Sequence, residues 1–199
     1  MQFENSMTRL NLARSFAGES QAAMRYRMIA RAAAKQGQSQ LCYVLNTIAQ
    51  NEDEHARRFF EELTKHGGND IDNIELEAGY PFHTGGLAKA MRLAAKDERE
   101  EHQRIYQSFA NEAQSEGLDD IAALFKMVAN VEKRHEQVFE YLAEAFEKGK
   151  LYKNDAPILY ICSKCGYMHT ANEAWKTCPL CRSDQSEVIL HIPYDKEKL

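Results

Sequence analysis

The sequence predicts a mainly α protein: a four-helix bundle over residues 1–150, followed by a small β-rich metal domain over 151–199. Three observations lead there. The pattern Ala-x-x-Glu-x-x-His-x-x-x-Phe occurs twice, at Ala49–Phe59 and Ala129–Phe139, each time within a stripe of apolar residues at helical spacing. Between the copies, residues 67–86 hold five glycines and Pro81, which splits the helical pattern into halves. After Gly149 the helical period stops, and four of the five cysteines fall within 20 residues as two Cys-x-x-Cys pairs.

The first helix is expected over residues 5–35. Leu12, Phe16, Glu19, Ala23 and Tyr26 follow steps of 4 and 3, so Glu19 interrupts an inward stripe, while Arg14, Arg25, Arg27 and Arg31 can face water. Gly18 costs a helix about 1 kcal/mol relative to Ala; it either makes room for a neighbouring group or is merely tolerated. Gly37 closes the helix. The second helix, 39–66, carries Leu41, Leu45, Ile48, Phe59 and Leu63, and its stripe is broken by Glu52 and His55. Cys42 reads as a small core residue and His66 as a solvated partner of the helix C-terminus. The glycine-rich stretch after it, with one short turn around Ile74, is long enough to carry the chain along the bundle, as the single long crossover of ferritin-like folds does.

The third helix is expected from Gly86 to Glu116. Leu87, Met91, Ala94, Glu98, Glu101, Ile105 and Phe109 share one face, so both Glu98 and Glu101 face the core; Glu100 lies in water, and His102 sits beside the stripe as a supporting or surface residue. Gly117 separates it from the fourth helix, Leu118–Glu147. There Ile121, Phe125, Val128, Phe139, Leu142 and Phe146 form the stripe, and Glu132 and His135 fill its gap in register. The halves read as a repeat, with 33 residues from Glu19 to Glu52 and 34 from Glu98 to Glu132.

A buried ionised carboxylate costs several kcal/mol unless it is paired or binds a metal. Glu and His three apart on a helix point the same way and can reach one ion. A single such pair could be structural, but two on core stripes, joined by a Glu from each remaining helix, match the ligand pattern of di-iron and di-manganese carboxylate bundles. Carboxylates and imidazoles suit iron or manganese.

Residues 151–157 read as a linker. Cys162, Cys165, Cys178 and Cys181 then form a tetrahedral thiolate site, with 12 residues between the pairs. A unit this small lacks a sizeable core, so a structural metal is expected, and four thiolates suit either zinc or iron. His169 and His191 are left out of the completed shell. Ile158, Tyr160, Val188, Leu190 and Ile192 alternate like short strands.

Composition bounds the partners. With 44% hydrophobic and 28% charged residues and a net charge of −5, the chain is ordinary for a soluble protein, and the absence of a basic run argues against nucleic acid. The opening MQFENSMTRL has no apolar signal region, and no run approaches a membrane span, so the reading is a cytoplasmic protein without a membrane partner.

With both sites placed, the chain resembles the rubrerythrin family over essentially its full length. The resemblance rests on FAGESQAAMRY at 16–26, Glu52-Asp-Glu-His55, Glu98-Arg-Glu-Glu101-His102, Glu132-Lys-Arg-His135, and CSKCGY with CPLC. It implies a ferritin-like di-iron bundle followed by a rubredoxin-like domain, and a peroxidase that reduces hydrogen peroxide to water in protection against oxidative stress. It implies three irons per chain, with zinc a possible substitute. Glu52 and Glu132 would bridge two irons, and Glu19, Glu98, Glu101, His55 and His135 would complete their shells, with His55 and Glu101 exchanging on one iron. The cysteines would hold a third iron that relays electrons from a donor such as a rubredoxin or an NAD(P)H-dependent reductase. Tyr26 and Tyr106, two turns from Glu19 and Glu98, could hydrogen-bond to a carboxylate or donate a proton, or simply be bonded within the core.

Two other readings stand beside this one: an iron-handling ferroxidase, and a bundle carrying a zinc ribbon that binds a partner. From His135 to Gly149 is 14 residues, about 21 Å of helix, so the thiolate site is expected far from its own di-iron site. A head-to-tail homodimer, also implied by the resemblance, would shorten that path.

Overall fold

The computed structural model describes residues 2–68, 70–83 and 85–192; the last seven residues of the expected C-terminal domain lie outside them. Helix α1, Met7–Lys35, begins at Ser6, whose hydroxyl accepts the Arg9 N–H at 3.1 Å. A second cap comes from far along the chain: the Glu116 carboxylate accepts the N–H groups of Met7 and Thr8 at 2.8 and 2.9 Å. This places negative charge on the positive end of the helix. Glu116→Ala is expected to cost about 1 kcal/mol, read as a lowered urea midpoint of the full chain; an unchanged midpoint would show that water replaces the cap.

Helix α2 is Ser39–Gly67. The third rod is α3, Leu87–Glu100, continued through a π turn, Glu101–Ile105, into α4, Tyr106–Ser115; α5 is Asp119–Glu147. The two hairpins close alike. Gly37 (φ 69°) lets Gln38 N–H reach Ala33 O at 3.0 Å, and Gly117 (φ 79°) lets Leu118 N–H reach Ala113 O at 2.8 Å. Both are glycine caps in the left-handed region, so the internal repeat extends to the turns.

The π turn corrects the expectation of one regular third helix. It adds a residue to the turn, so the buried face passes from Leu87, Met91, Ala94 and Glu98 to Tyr106, Ala110 and Ala113. Ile105 and Phe109, expected inward, are only half-buried. On α1, Ser15 rather than Phe16 faces in; Phe16 is 41% exposed and packs on Phe60 at a ring separation of 5.7 Å. Cys42 is half-buried, not fully inside.

The core has two decks. The upper deck joins Tyr26, Ala30, Leu41, Leu45, Met91, Phe139 and Leu142; the lower joins Leu12, Phe59, Tyr106, Ile121, Phe125 and Val128. This places the end of α1 and the starts of α2 and α3 at one end of the bundle. The residues of 68–86 must therefore travel its length between α2 and α3, as expected for a crossover. Among the described residues they form no helix or strand, so the short turn expected at Ile74 is absent. Burying each large apolar side chain is worth about 1.5–3 kcal/mol, and the two decks together hold a polar layer between them.

The presumed linker of the C-terminal unit is largely strand. Strand β1, Lys153–Ile161, takes over most of the presumed linker and pairs antiparallel with β2, Met168–Glu173, with Ile158 opposite Ala171 and Tyr160 opposite His169. The register is irregular between Lys153 and Ile158, where Pro157 offers no N–H. Val188 makes a single bridge to Cys162 and packs with Tyr160 and Ala174. Leu190 and Ile192, expected as strand residues, instead pack on the upper deck of the bundle. Ser186 Oγ lies 3.5 Å from Ser39 Oγ at the α1–α2 turn. The unit therefore sits on the end of the bundle. Among the described residues no helix is long and apolar enough to cross a membrane.

Candidate metal centre

The layer between the decks is made of Glu19 from α1, Glu52 and His55 from α2, Glu98 from α3, and Glu132 and His135 from α5. The four glutamates are at most 1% exposed, and His55 and His135 at most 9%. Helical spacing explains the pairs: three residues apart, Glu52 and His55, like Glu132 and His135, leave their helices in the same direction.

Their atoms form a crossed pattern. His55 Nδ1 lies 2.8 Å from Glu52 Oε2 and 2.9 Å from Glu132 Oε1. His135 Nδ1 lies 2.9 Å from Glu52 Oε1 and 2.7 Å from Glu132 Oε2. Each of the two carboxylates thus turns one oxygen to each histidine. Two pockets result, one from Glu19, Glu52, His55 and Glu132, the other from Glu52, Glu98, Glu132 and His135. Glu52 and Glu132 belong to both.

The residues fit a pair of metal ions. Around an ion with bonds of about 2.1 Å, adjacent donors at right angles stand about 3.0 Å apart, close to the separations seen. Two buried carboxylate oxygens, Glu19 Oε2 and Glu98 Oε2, have no hydrogen-bond partner, and a cation would satisfy them. The donor set of carboxylate and imidazole suits iron or manganese.

Without metal, protons supply the positive charge. Burial alone would lower the histidine pKa values, but Glu132 and Glu52 push both His55 and His135 up to about 10. Burial would raise Glu132, yet His135 and His55 draw it down to about 2. Burial and the neighbouring carboxylates raise Glu19 and Glu98 well above the usual range. A metal must displace these protons. Loading with ferrous ion is therefore expected to release protons and to tighten as pH rises through neutrality, because both histidines and Glu101, raised by burial and by Glu132 to about 8, are protonated below those values. Loading in weak buffer with no proton release would contradict the assignment.

The tyrosines are fixed in the way the sequence allowed. Tyr26 donates its hydroxyl to Glu98 Oε1 and Tyr106 donates to Glu19 Oε1, both buried. The π turn is what brings Tyr106 inward. Glu101 is the expected ligand that falls outside both pockets. It opens the π turn, is half-buried, and lines a cavity of 450 Å³ with Tyr106, Gly18 and the crossover residues Tyr80 and Pro81. Gly18 is merely tolerated there, since a Cβ would meet the Tyr80 ring at 3.6 Å, an ordinary packing distance.

Several supporting residues escaped sequence reasoning. Asn51 Oδ1 lies 3.3 Å from His135 Nε2, the nitrogen turned away from the pockets. Arg25, expected in water, is largely buried; it donates to Gln21 at 2.9 Å and pairs with Asp97 at 2.7 Å. Asp97 also meets His83 of the crossover at 3.2 Å. His102 is no pocket residue: its Nε2 lies 2.5 Å from Glu136. His66 stacks on Phe3 at 5.4 Å and lies 3.3 Å from Asp120, half-buried rather than solvated.

In the C-terminal unit the four cysteine sulfurs converge, as their spacing predicts. Cys162 and Cys181 stand 3.7 Å apart, as do Cys165 and Cys178. That is too long for a disulfide and close to the edge of a tetrahedron with metal–sulfur bonds of about 2.3 Å. Each pair lies on a tight turn, closed by Gly166 N–H to Cys162 O at 2.9 Å and Arg182 N–H to Cys178 O at 3.0 Å. The Ser183 hydroxyl heads the groups that bring the Cys181 thiol down to about 6. His169 and His191 are not among the converging residues.

Comparison with known proteins places these features. A family profile described as Rubrerythrin matches residues 11–143 and 89–160, and one described as Rubrerythrin, rubredoxin-like domain matches residues 160–187. The chain is 38% identical over 184 residues to Rubrerythrin-1 of Clostridium acetobutylicum, across 92% of this chain and 93% of that one. It is also 38% identical to the rubrerythrin of Porphyromonas gingivalis, across 92% and 89%. A solved structure of nigerythrin in a mixed-valence state overlays with a TM-score of 0.62 at 21% identity, covering 94% of this chain and 90% of that chain. At that identity the likeness speaks for the fold.

Proposed function

The chain belongs to the rubrerythrin family, and from that premise we propose that it is a non-haem di-iron peroxidase. It reduces hydrogen peroxide to water, taking up two electrons and two protons per peroxide. The observation that carries this reading is the pair of pockets sharing Glu52 and Glu132, on one chain with a four-thiolate site.

Two ferrous ions, held by Glu19, Glu52, His55, Glu98, Glu132 and His135, would supply the two electrons needed to break an O–O bond. The chain's own residues do the rest. The apolar decks keep bulk water from the layer. The cavity lined by Glu101 and Tyr106 would admit a small oxidant from the crossover side as far as the tyrosine that donates to Glu19. Tyr106 and Tyr26 hold their own hydroxyl protons against Glu19 and Glu98, one at each pocket, where leaving oxygens need them. Glu101, half-buried and lining that cavity, is the candidate to replace His55 in the pocket that includes Glu19. Storage of iron needs no thiolate relay, which favours turnover over mineral deposition.

The test is an anaerobic titration of the reduced protein with peroxide. One peroxide consumed per two electrons, with about three irons per chain, is the expected result. A chain that accumulates tens of irons, or consumes peroxide no faster than free ferrous ion, would favour iron handling instead.

The electrons are proposed to come from an external donor, a rubredoxin or an NAD(P)H-dependent reductase, through the cysteine site. His135 is 12 residues from the end of α5 at Glu147, about 18 Å of helix, and the cysteine unit sits beyond that end. A head-to-tail homodimer would bring each cysteine unit near the partner's pockets. A mixed dimer of Glu132→Ala and Cys162→Ser chains, purified through two different tags, is then expected to regain peroxide turnover. Activity no higher than either parent would exclude transfer between subunits.

A further inference from the structure

The two cysteine turns are alike in backbone but unequal in what they place on the sulfurs. Two residues after Cys165 stands Tyr167, whose ring packs on Trp175 at 5.1 Å. Two residues after Cys181 stands Ser183. Its Oγ lies 3.2 Å from Cys181 Sγ and 3.4 Å from Cys162 Sγ. Those sulfurs are themselves 3.7 Å apart, so one hydroxyl rests against one edge of the sulfur tetrahedron. The residue is fixed there, because its carbonyl accepts the Cys178 N–H at 2.8 Å. With a metal bound, both sulfurs are thiolates that only accept, so the hydroxyl must be the donor. Cys181 is the exposed cysteine, and Leu180 beside it is 66% exposed. The serine therefore serves the edge that runs from the buried Cys162 to the exposed Cys181, where an external donor can approach.

We infer that Ser183 is a positioning residue for the electron relay: its hydroxyl sets the reduction potential of iron in the cysteine site by favouring the ferrous state. The ferric tetrathiolate carries one negative charge and the ferrous form two; one electron is added and no proton moves. A donor shared by two sulfurs binds the more negative state more strongly, and hydrogen bonds to sulfur are among the groups that set such potentials. The inference rests on iron occupying this site.

The experiment uses the full-length, iron-loaded protein and a redox titration monitored by the visible band of the ferric tetrathiolate. Ser183→Ala is expected to shift the couple about tenfold toward ferric, which is 59 mV lower for one electron. The isosteric pair Ser183→Thr and Ser183→Val differs essentially in the hydroxyl, so threonine should hold the wild-type potential and valine should fall with alanine. This pair carries the test if alanine loads poorly. Equal potentials for threonine and valine, or alanine at the wild-type value, would overturn the role of the hydroxyl. Absence of any visible band in the wild type, with zinc in the site, would overturn the iron reading itself and the inference with it.

Discussion

Glu132→Ala is expected to abolish metal binding in the bundle while leaving the cysteine site loaded. Glu132 is fully buried and turns one oxygen to His55 and the other to His135, so its loss damages both pockets at once. Removing a group that merely supports a metal ligand costs about 10–100-fold in affinity; removing a ligand of both ions should exceed that. The metal-free fold should lose stability as well, because both buried histidines lose an ionised partner. The readouts are iron per chain and the thermal shift produced by ferrous ion, which should vanish since only a metal bound to the native state stabilises it. Two irons retained in the bundle would sink the assignment of Glu132.

Cys162→Ser separates the two proposed steps. Cys162 is 1% exposed and bridges to Val188, so it is both a sulfur donor and part of a very small core. A serine oxygen is a poor substitute for thiolate, and the C-terminal iron should be weakened or lost. Among the described residues, the bundle pockets contain none from that unit. A protein reduced chemically beforehand should therefore still consume one peroxide per chain. Steady-state turnover with an external donor should drop to near background. Unchanged turnover would show that electrons bypass the cysteines.

Glu52, His55, Glu132 and His135 were legible in the sequence because each interrupts an apolar stripe in register, and burial of such groups is too costly to be accidental. The cysteines were legible because the Cys-x-x-Cys spacing is itself the geometry of the site. These signals are local: they depend on directions within one helix or one turn. The same logic misreads the segment beyond Glu101, since a regular period predicts Ile105 and Phe109 inward, whereas the π turn rotates Tyr106 into the core.

Sequence alone therefore determined which helices carry the inward glutamates and histidines at Glu19, Glu52, His55, Glu98, Glu132 and His135, and that a four-cysteine unit comes after the bundle. The tertiary structure decided the rest. It crossed the oxygens of Glu52 and Glu132 between two histidines, left Glu101 lining a cavity with Tyr80, drew Arg25 out of water onto Asp97, and set Ser183 against two sulfurs. It also turned Leu190 and Ile192 onto the bundle. Each of these joins residues far apart in the chain or depends on the rotation of one helix against another. The spacing of side chains along a single element carries no information about such contacts; packing between elements does.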